Sequence, residues 1–100
     1  MIIKLTKPFT FEDAEITEIN LDFDKATTNV LVRADKRLAS MKHVPMVKQL
    51  DTTYCLLVAA YISGVSFQAL ESLPLTDGNV VATTVSGFLL GTPEEELTQT

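Results

Sequence analysis

Few residues of this 100-residue chain could act as nucleophiles, acids or metal ligands. It has one histidine, His43, and one cysteine, Cys55. An active site or a tetrahedral metal site needs several such groups brought together. His43 lies two residues before Pro45 in an apparent linker, while Cys55 lies inside an apolar run. We therefore expect a loop histidine and an inert buried thiol, with no catalytic residues, no metal and no cofactor.

Two other patterns could carry chemistry, and neither is complete. Asp22 and Asp24 flank Phe23, but a calcium loop needs a glycine-containing turn and further oxygen ligands, so a helix start is the simpler interpretation. A phosphate-binding loop needs clustered glycines. The glycines here are dispersed along the chain, at Gly64, Gly78, Gly87 and Gly91. The sequence thus favours a protein that is not an enzyme.

The charges are distributed unevenly. All eight Lys and Arg residues precede position 50, whereas residues 51–93 carry only Asp51, Glu71 and Asp77. Either Ser, Thr, Asn and Gln cover the outer face of this half, or the half meets another protein. The basic residues are few and offset by acids, which argues against nucleic acid as a partner.

The sequence also argues against a membrane location. No segment approaches the roughly 20 apolar residues that span a bilayer, and the N-terminus lacks the apolar core of a signal peptide. We expect a location in the cytoplasm.

The elements that must position any site are centred on nine consecutive apolar residues, 54–62. Asp51 or Thr52 can cap a helix that begins at about Thr52, and Gly64 can end it after Ser63. A helix that is apolar on every face either lies at the centre of the core or presents one face to another chain.

The residues before this helix predict a β-hairpin and one further helix. Strand segments over 2–5 and 9–11 are separated by Thr6-Lys7-Pro8, and a turn at 12–14 leads to a return strand over 15–23. The first helix should begin at Thr27 or Thr28 and end near Met41. Residues 43–50 read as a linker whose four apolar residues are pinned to the core or close over a groove.

The residues after the central helix predict two more helices. Ser66 can cap a short one that runs through Ser72. Thr76 can cap a last helix that Gly91 ends, with Val81, Val85, Phe88 and Leu89 on one stripe. We expect a single α+β domain over 1–91, in which a hairpin region (1–23) packs on a bundle of three to four α-helices (27–91). Residues 92–100 should form a polar, flexible tail.

This layout resembles a known family. A hairpin that opens Ile-Ile-Lys-Leu-Thr-Lys-Pro is followed by Glu-Ile-Thr-Glu-Ile-Asn-Leu-Asp-Phe-Asp-Lys, a mixed-charge helix and an apolar Ala-Ala-containing helix. Ala-Leu-Glu-Ser-Leu-Pro and a closing Val-Val-Ala-Thr-Thr-Val-Ser-Gly-Phe-Leu-Leu complete it. Over residues 1–90 the chain is similar to the tail assembly chaperones of tailed bacteriophages, in particular the Mu-like class.

The resemblance implies a non-enzymatic protein that binds the long, aggregation-prone tape measure protein, keeps it soluble and helps tail tube subunits assemble around it. A homo-oligomer is also possible. An uncharged second half could cover apolar stripes of such a client by helix-in-groove contact. The residues that we place at this surface, each of which could instead be ordinary core, are Tyr54, Tyr61, Val81, Val85, Phe88 and Leu89.

Two other functions stay open at this point. The chain could be a structural tail or head-tail component that self-assembles through its low-charge helical half. It could also be a small regulatory or antitoxin-like binding module, although it lacks a basic face for DNA contact.

Overall fold

A computed structural model describes residues 1–91; the tail predicted over 92–100 lies outside the described residues. Strands β1 (Ile2–Phe11) and β2 (Ala14–Asn20) are followed by helices α1 (Asn29–Ser40), α2 (Thr52–Ser63), α3 (Phe67–Glu71) and α4 (Leu75–Leu89). Two short 3₁₀ turns, Phe23–Lys25 and Lys48–Leu50, precede α1 and α2. The predicted α+β class, with an N-terminal hairpin and a helical bundle, is confirmed.

The hairpin closes through a two-residue turn. Glu12 and Asp13 both adopt left-handed backbone angles, with φ of 49° and 67°. This combination matches the right-handed twist of antiparallel strands, and it is the geometry that tight hairpins prefer. The return strand ends at Asn20 instead of Phe23, because the chain turns at Leu21 and Phe23 enters the first 3₁₀ turn.

β1 contains a bulge between Lys4 and Phe9, where the sequence predicted a break between two strand segments. Lys4 pairs with Glu18 and Phe9 pairs with Ile16, so five steps along β1 correspond to two along β2. Pro8 lies in the unpaired stretch, which suits a residue that cannot donate a ladder hydrogen bond. The two predicted strand segments are therefore one strand with a bulge between them.

α2 forms the centre of the core. Residues 54–59 are all buried, and α2 packs against α1, α3 and α4 as well as β2. The Asp51 carboxylate accepts the backbone N–H of Tyr54 at 2.9 Å, and Gly64 ends the helix at φ 80°. Both predicted ends of this helix are confirmed.

The other helix starts agree less well with the sequence. Ser66 caps α3 by accepting the N–H of Ala69 at 3.2 Å, as predicted. Thr28 stands before α1 without a side-chain capping bond. α4 begins at Leu75, directly after Pro74, so Thr76 lies inside its first turn and the predicted cap is wrong. Proline is tolerated directly before a helix, because no intrahelical hydrogen bond requires its missing N–H.

Within residues 1–91, no helix combines the length and the apolar character that crossing a membrane requires.

Candidate partner-binding surface

The six residues predicted to contact a partner divide into two groups in the structure. Val81 and Val85 are completely buried and Tyr54 is 4% exposed, so these three side chains belong to the core. Tyr61, Phe88 and Leu89 are half-buried and reach the surface. Only the second group is available to a partner in this conformation.

Phe88 and Leu89 line a small cleft between α1, α2 and α4. The ring of Phe88 stacks on Phe23 with a centroid separation of 3.9 Å and an interplanar angle of 5°. Val30 and Ile62 complete the apolar walls. The cleft measures about 240 Å³, which is smaller than the roughly 300–1,000 Å³ of small-molecule sites and admits one or two side chains.

Tyr61 lies at a second, wider cleft, where a cationic side chain is positioned over its ring. The Arg33 guanidinium sits 4.2 Å from the centroid of the ring, which is close enough for a cation–π interaction. Arg37, one turn further along α1, lines the same cleft. Tyr61 therefore lies at a surface that carries two cations, whereas a low-charge surface was predicted for it.

The most exposed apolar side chains lie elsewhere, in the segment 41–50 between α1 and α2, which we call the apolar loop. Val44 is 92% exposed, Leu50 is 64% exposed, and Met46 is fully exposed. Of the nine large apolar side chains exposed within residues 1–91, five belong to this loop: Met41, Val44, Met46, Val47 and Leu50. Two arrangements were predicted for the apolar residues of 43–50, pinned to the core or closing over a groove, and the first is wrong for Val44, Met46, Val47 and Leu50.

Polar contacts hold the apolar loop in place. His43 Nε2 lies 2.8 Å from an oxygen of Asp51, and Lys48 donates to Asp35 at 3.0 Å. The carbonyl oxygen of Gln49 accepts hydrogen bonds from Ser86 on α4 and from the Cys55 thiol. These contacts hold His43, Lys48 and the Gln49 carbonyl in place, while the apolar side chains of the loop stay exposed.

A groove runs between this loop and the C-terminal half of α1. Leu38 and Ala39 form its α1 side, and Val44, Met46 and Val47 form the opposite side. Residues 35–50 carry four cations and one carboxylate in a chain whose net charge is −5. The sequence signal for this surface is a group of apolar residues at 44, 46, 47 and 50 that fits neither the strand nor the helix period.

The surroundings of Cys55 make its thiol unreactive. Cys55 is 1% exposed, and burial, together with the nearby Asp51 charge, raises the pKa of its thiol to about 11. A thiol with so high a pKa carries almost no thiolate at neutral pH and is a poor nucleophile. Among residues 1–91, no three His, Cys, Asp or Glu side chains are grouped so that they could hold a metal ion.

The surface of α2, α3 and α4 is nearly uncharged. Residues 52–91 contain only two ionisable carboxylates, Glu71 and Asp77, and Asp77 is 3% exposed. Glu71 is therefore the one exposed acidic or basic side chain in this part of the described chain.

Comparison with protein-family models, with curated proteins and with solved structures finds no match.

Proposed function

We propose that this protein is a tail assembly chaperone of a tailed bacteriophage, without enzymatic activity, that acts in the cytoplasm of the host cell. It binds the tape measure protein, keeps that protein soluble and helps to recruit tail tube subunits. The observation that carries the proposal is the crowding of exposed apolar side chains into the apolar loop. Contiguous apolar surface of this kind is typical of sites that bind other proteins.

Two further observations support the proposal. The order of elements, a hairpin followed by an apolar central helix and a closing helix, agrees with the layout on which the family resemblance rests. The surfaces of α2, α3 and α4 carry almost no charged side chains. Because exposed charges normally keep proteins from associating, this part of the surface opposes the binding of an apolar client only weakly.

The same uncharged surface supports a second candidate function. A structural tail or head-tail component could self-assemble through it and stay in the particle. Leu75 and Leu90, exposed at 89% and 58% at the two ends of α4, are the apolar side chains that such a contact could bury.

Co-expression with the tape measure protein encoded nearby tests the proposal. We expect the tape measure protein to be soluble and to co-purify only when this protein is present. Replacement of Val44 and Met46 by serine should reduce the soluble client, whereas Leu75→Ser, an equally exposed change elsewhere, should not. Circular dichroism of each variant checks that the domain is folded.

Two results contradict the proposal. One is a client whose solubility does not respond to this protein. The other is the presence of this protein in purified virions in stoichiometric amount together with rings or tubes formed by the protein alone, which favours the structural function.

A further inference from the structure

The cleft beside Tyr61 is lined, among residues 1–91, by two arginines and by no acidic residue. Arg33 and Arg37 lie four residues apart on α1, so they share one face of the helix with Cβ atoms about 5–6 Å apart. Residues 64–68, at the turn between α2 and α3, also line this space, which we call the arginine cleft. Its volume of about 470 Å³ lies within the range of small-molecule sites.

Neither arginine of the cleft is neutralised by a carboxylate of the described chain. Across residues 1–91, no Asp or Glu side chain lies within ion-pair distance of either guanidinium. Asp22, which lines the adjoining cleft together with Arg33, is paired with Lys25 at 3.7 Å, and Asp35 on α1 is paired with Lys48 at 3.0 Å. Two cations that share a concave surface without a counter-charge attract an anion into it.

The ring of Tyr61 supports the Arg33 guanidinium at the edge of the cleft. The guanidinium lies 4.2 Å from the ring centroid. A cation–π contact uses the charge of the guanidinium but not all of its five N–H donors, so donors stay available for a ligand. Because the side chain is already held, binding costs less conformational entropy than it would for an unsupported arginine.

Apolar side chains line the same cleft as the two cations. Leu57 is buried there, and Ala60, Val65 and Phe67 are half-buried. Burial of apolar surface against these side chains is favourable for a ligand. A molecule with an anionic end and an apolar or aromatic part therefore matches the cleft better than an inorganic anion does.

The number of donors favours a phosphate group over a carboxylate. A carboxylate has one charge and two oxygens, which a single guanidinium fork can satisfy. A phosphate monoester carries about −1.5 to −2 charges near neutral pH and three terminal oxygens, so it can bind two guanidiniums at once.

We propose that the arginine cleft binds the phosphate monoester of a small molecule, with the phosphate between Arg33 and Arg37 and an apolar or aromatic part against Val65 and Phe67. This site is separate from the apolar loop and does not depend on the proposed chaperone function.

An NMR titration of the full chain with phenyl phosphate, inorganic phosphate and benzoate tests the proposal. We expect phenyl phosphate to shift the amide resonances of residues 64–68 and to bind about tenfold more tightly than either of the other two anions. Added salt should weaken the binding, because the contact depends on charge.

Arginine variants test the geometry of the cleft. Arg37→Gln should weaken the binding of phenyl phosphate about tenfold, and Arg37→Lys, which keeps the charge but loses the fork of donors, should weaken it severalfold. Lys36→Gln removes the same charge from an exposed neighbour that does not line the cleft, and it should leave the affinity unchanged. The amide spectrum of each variant checks that the domain is folded.

Three results overturn the proposal: no shifts at residues 64–68, equal affinity for phenyl phosphate and the other two anions, or equal effects of Lys36→Gln and Arg37→Gln, which indicate a diffuse attraction of anions. Flotation with phosphatidic acid vesicles distinguishes a free ester from a lipid. We expect none, and flotation that Arg37→Gln abolishes assigns the cleft to a lipid headgroup instead.

The acidic triplet at 94–96 provides a last control. Its replacement by three glutamines should leave the affinity for phenyl phosphate unchanged. An increase of tenfold or more would show that carboxylates of the chain itself compete for the cleft, which contradicts the proposal.

Discussion

Asp77 and Thr6 are joined by two hydrogen bonds across 71 residues of sequence. The backbone N–H of Thr6 donates to one carboxylate oxygen of Asp77 at 3.1 Å, and its hydroxyl donates to the other at 3.0 Å. Asp77 lies in the first turn of α4, where the helix dipole also favours negative charge. Because Thr6 is part of the β1 bulge, this contact fixes the hairpin to the helical bundle.

The Asp77 contact should contribute substantially to stability. Asp77→Ala removes both acceptors, so we expect the free energy of unfolding in urea to fall by about 2 kcal/mol. Thr6→Val removes only the hydroxyl and should cost about 1 kcal/mol, and Thr6→Ser, which keeps both donors, is the control. A double-mutant cycle that yields no coupling between positions 6 and 77 contradicts this account.

Burial of Cys55 should make stability depend on alkaline pH. The folded thiol has a pKa of about 11 against 9.0 for a free thiol, so the folded state holds its proton more tightly. Its contribution is fully present below pH 9 and is lost as the pH rises towards 11, by at most about 3 kcal/mol. Urea denaturation at several pH values should show this loss in the natural protein, beyond that of Cys55→Ala. Parallel pH profiles for the two proteins contradict it.

The hairpin turn offers a stabilising change. Glu12 and Asp13 hold left-handed angles that cost L-residues energy, and asparagine followed by glycine is the pair that such turns favour. Glu12→Asn with Asp13→Gly should therefore raise the free energy of unfolding by about 1 kcal/mol, or the melting temperature by about 4–8 °C. Glu15→Gln with Glu18→Gln, at exposed positions of β2, removes the same two charges outside the turn and is the control. A lower melting temperature for the turn variant would show that the turn is not strained.

A charge added to the core should destabilise the fold strongly, whereas a charge added to the apolar loop should have almost no effect on stability. Val85→Asp buries an unpaired carboxylate and should cost on the order of 3–5 kcal/mol, enough to abolish a cooperative unfolding transition in a marginal domain. Met46→Asp adds the same group at a fully exposed position and should change stability by less than about 0.5 kcal/mol. Equal melting temperatures for the two variants would refute the assignment of Val85 to the core.

Val85 was predicted at the partner surface but is buried, which shows the limit of what a helical stripe can predict. Val81, Val85, Phe88 and Leu89 do share one side of α4, but a stripe does not reveal whether that side faces the domain or a partner. Here α2 covers it as far as Val85, and only Phe88 and Leu89 reach the surface.

The sequence by itself determined the features that depend on neighbouring residues. Asp51, Gly64 and Ser66 define helix ends through hydrogen bonds or backbone angles within a few positions, and the period of the apolar residues separated the hairpin from the helices. The sequence also restricted the apolar run at 54–62 to two places, the centre of the core or a face against another chain.

Only the tertiary structure decided how the limited interior was shared. Tyr54, Val81 and Val85 fill it, while Val44 and Met46 stay exposed in a loop that is held in place by the hydrogen bonds of His43 and Gln49. The bonds between Asp77 and Thr6 join residues that no local pattern connects. Burial is a competition among distant segments for one enclosed volume, and such a competition is settled only when the chain has packed.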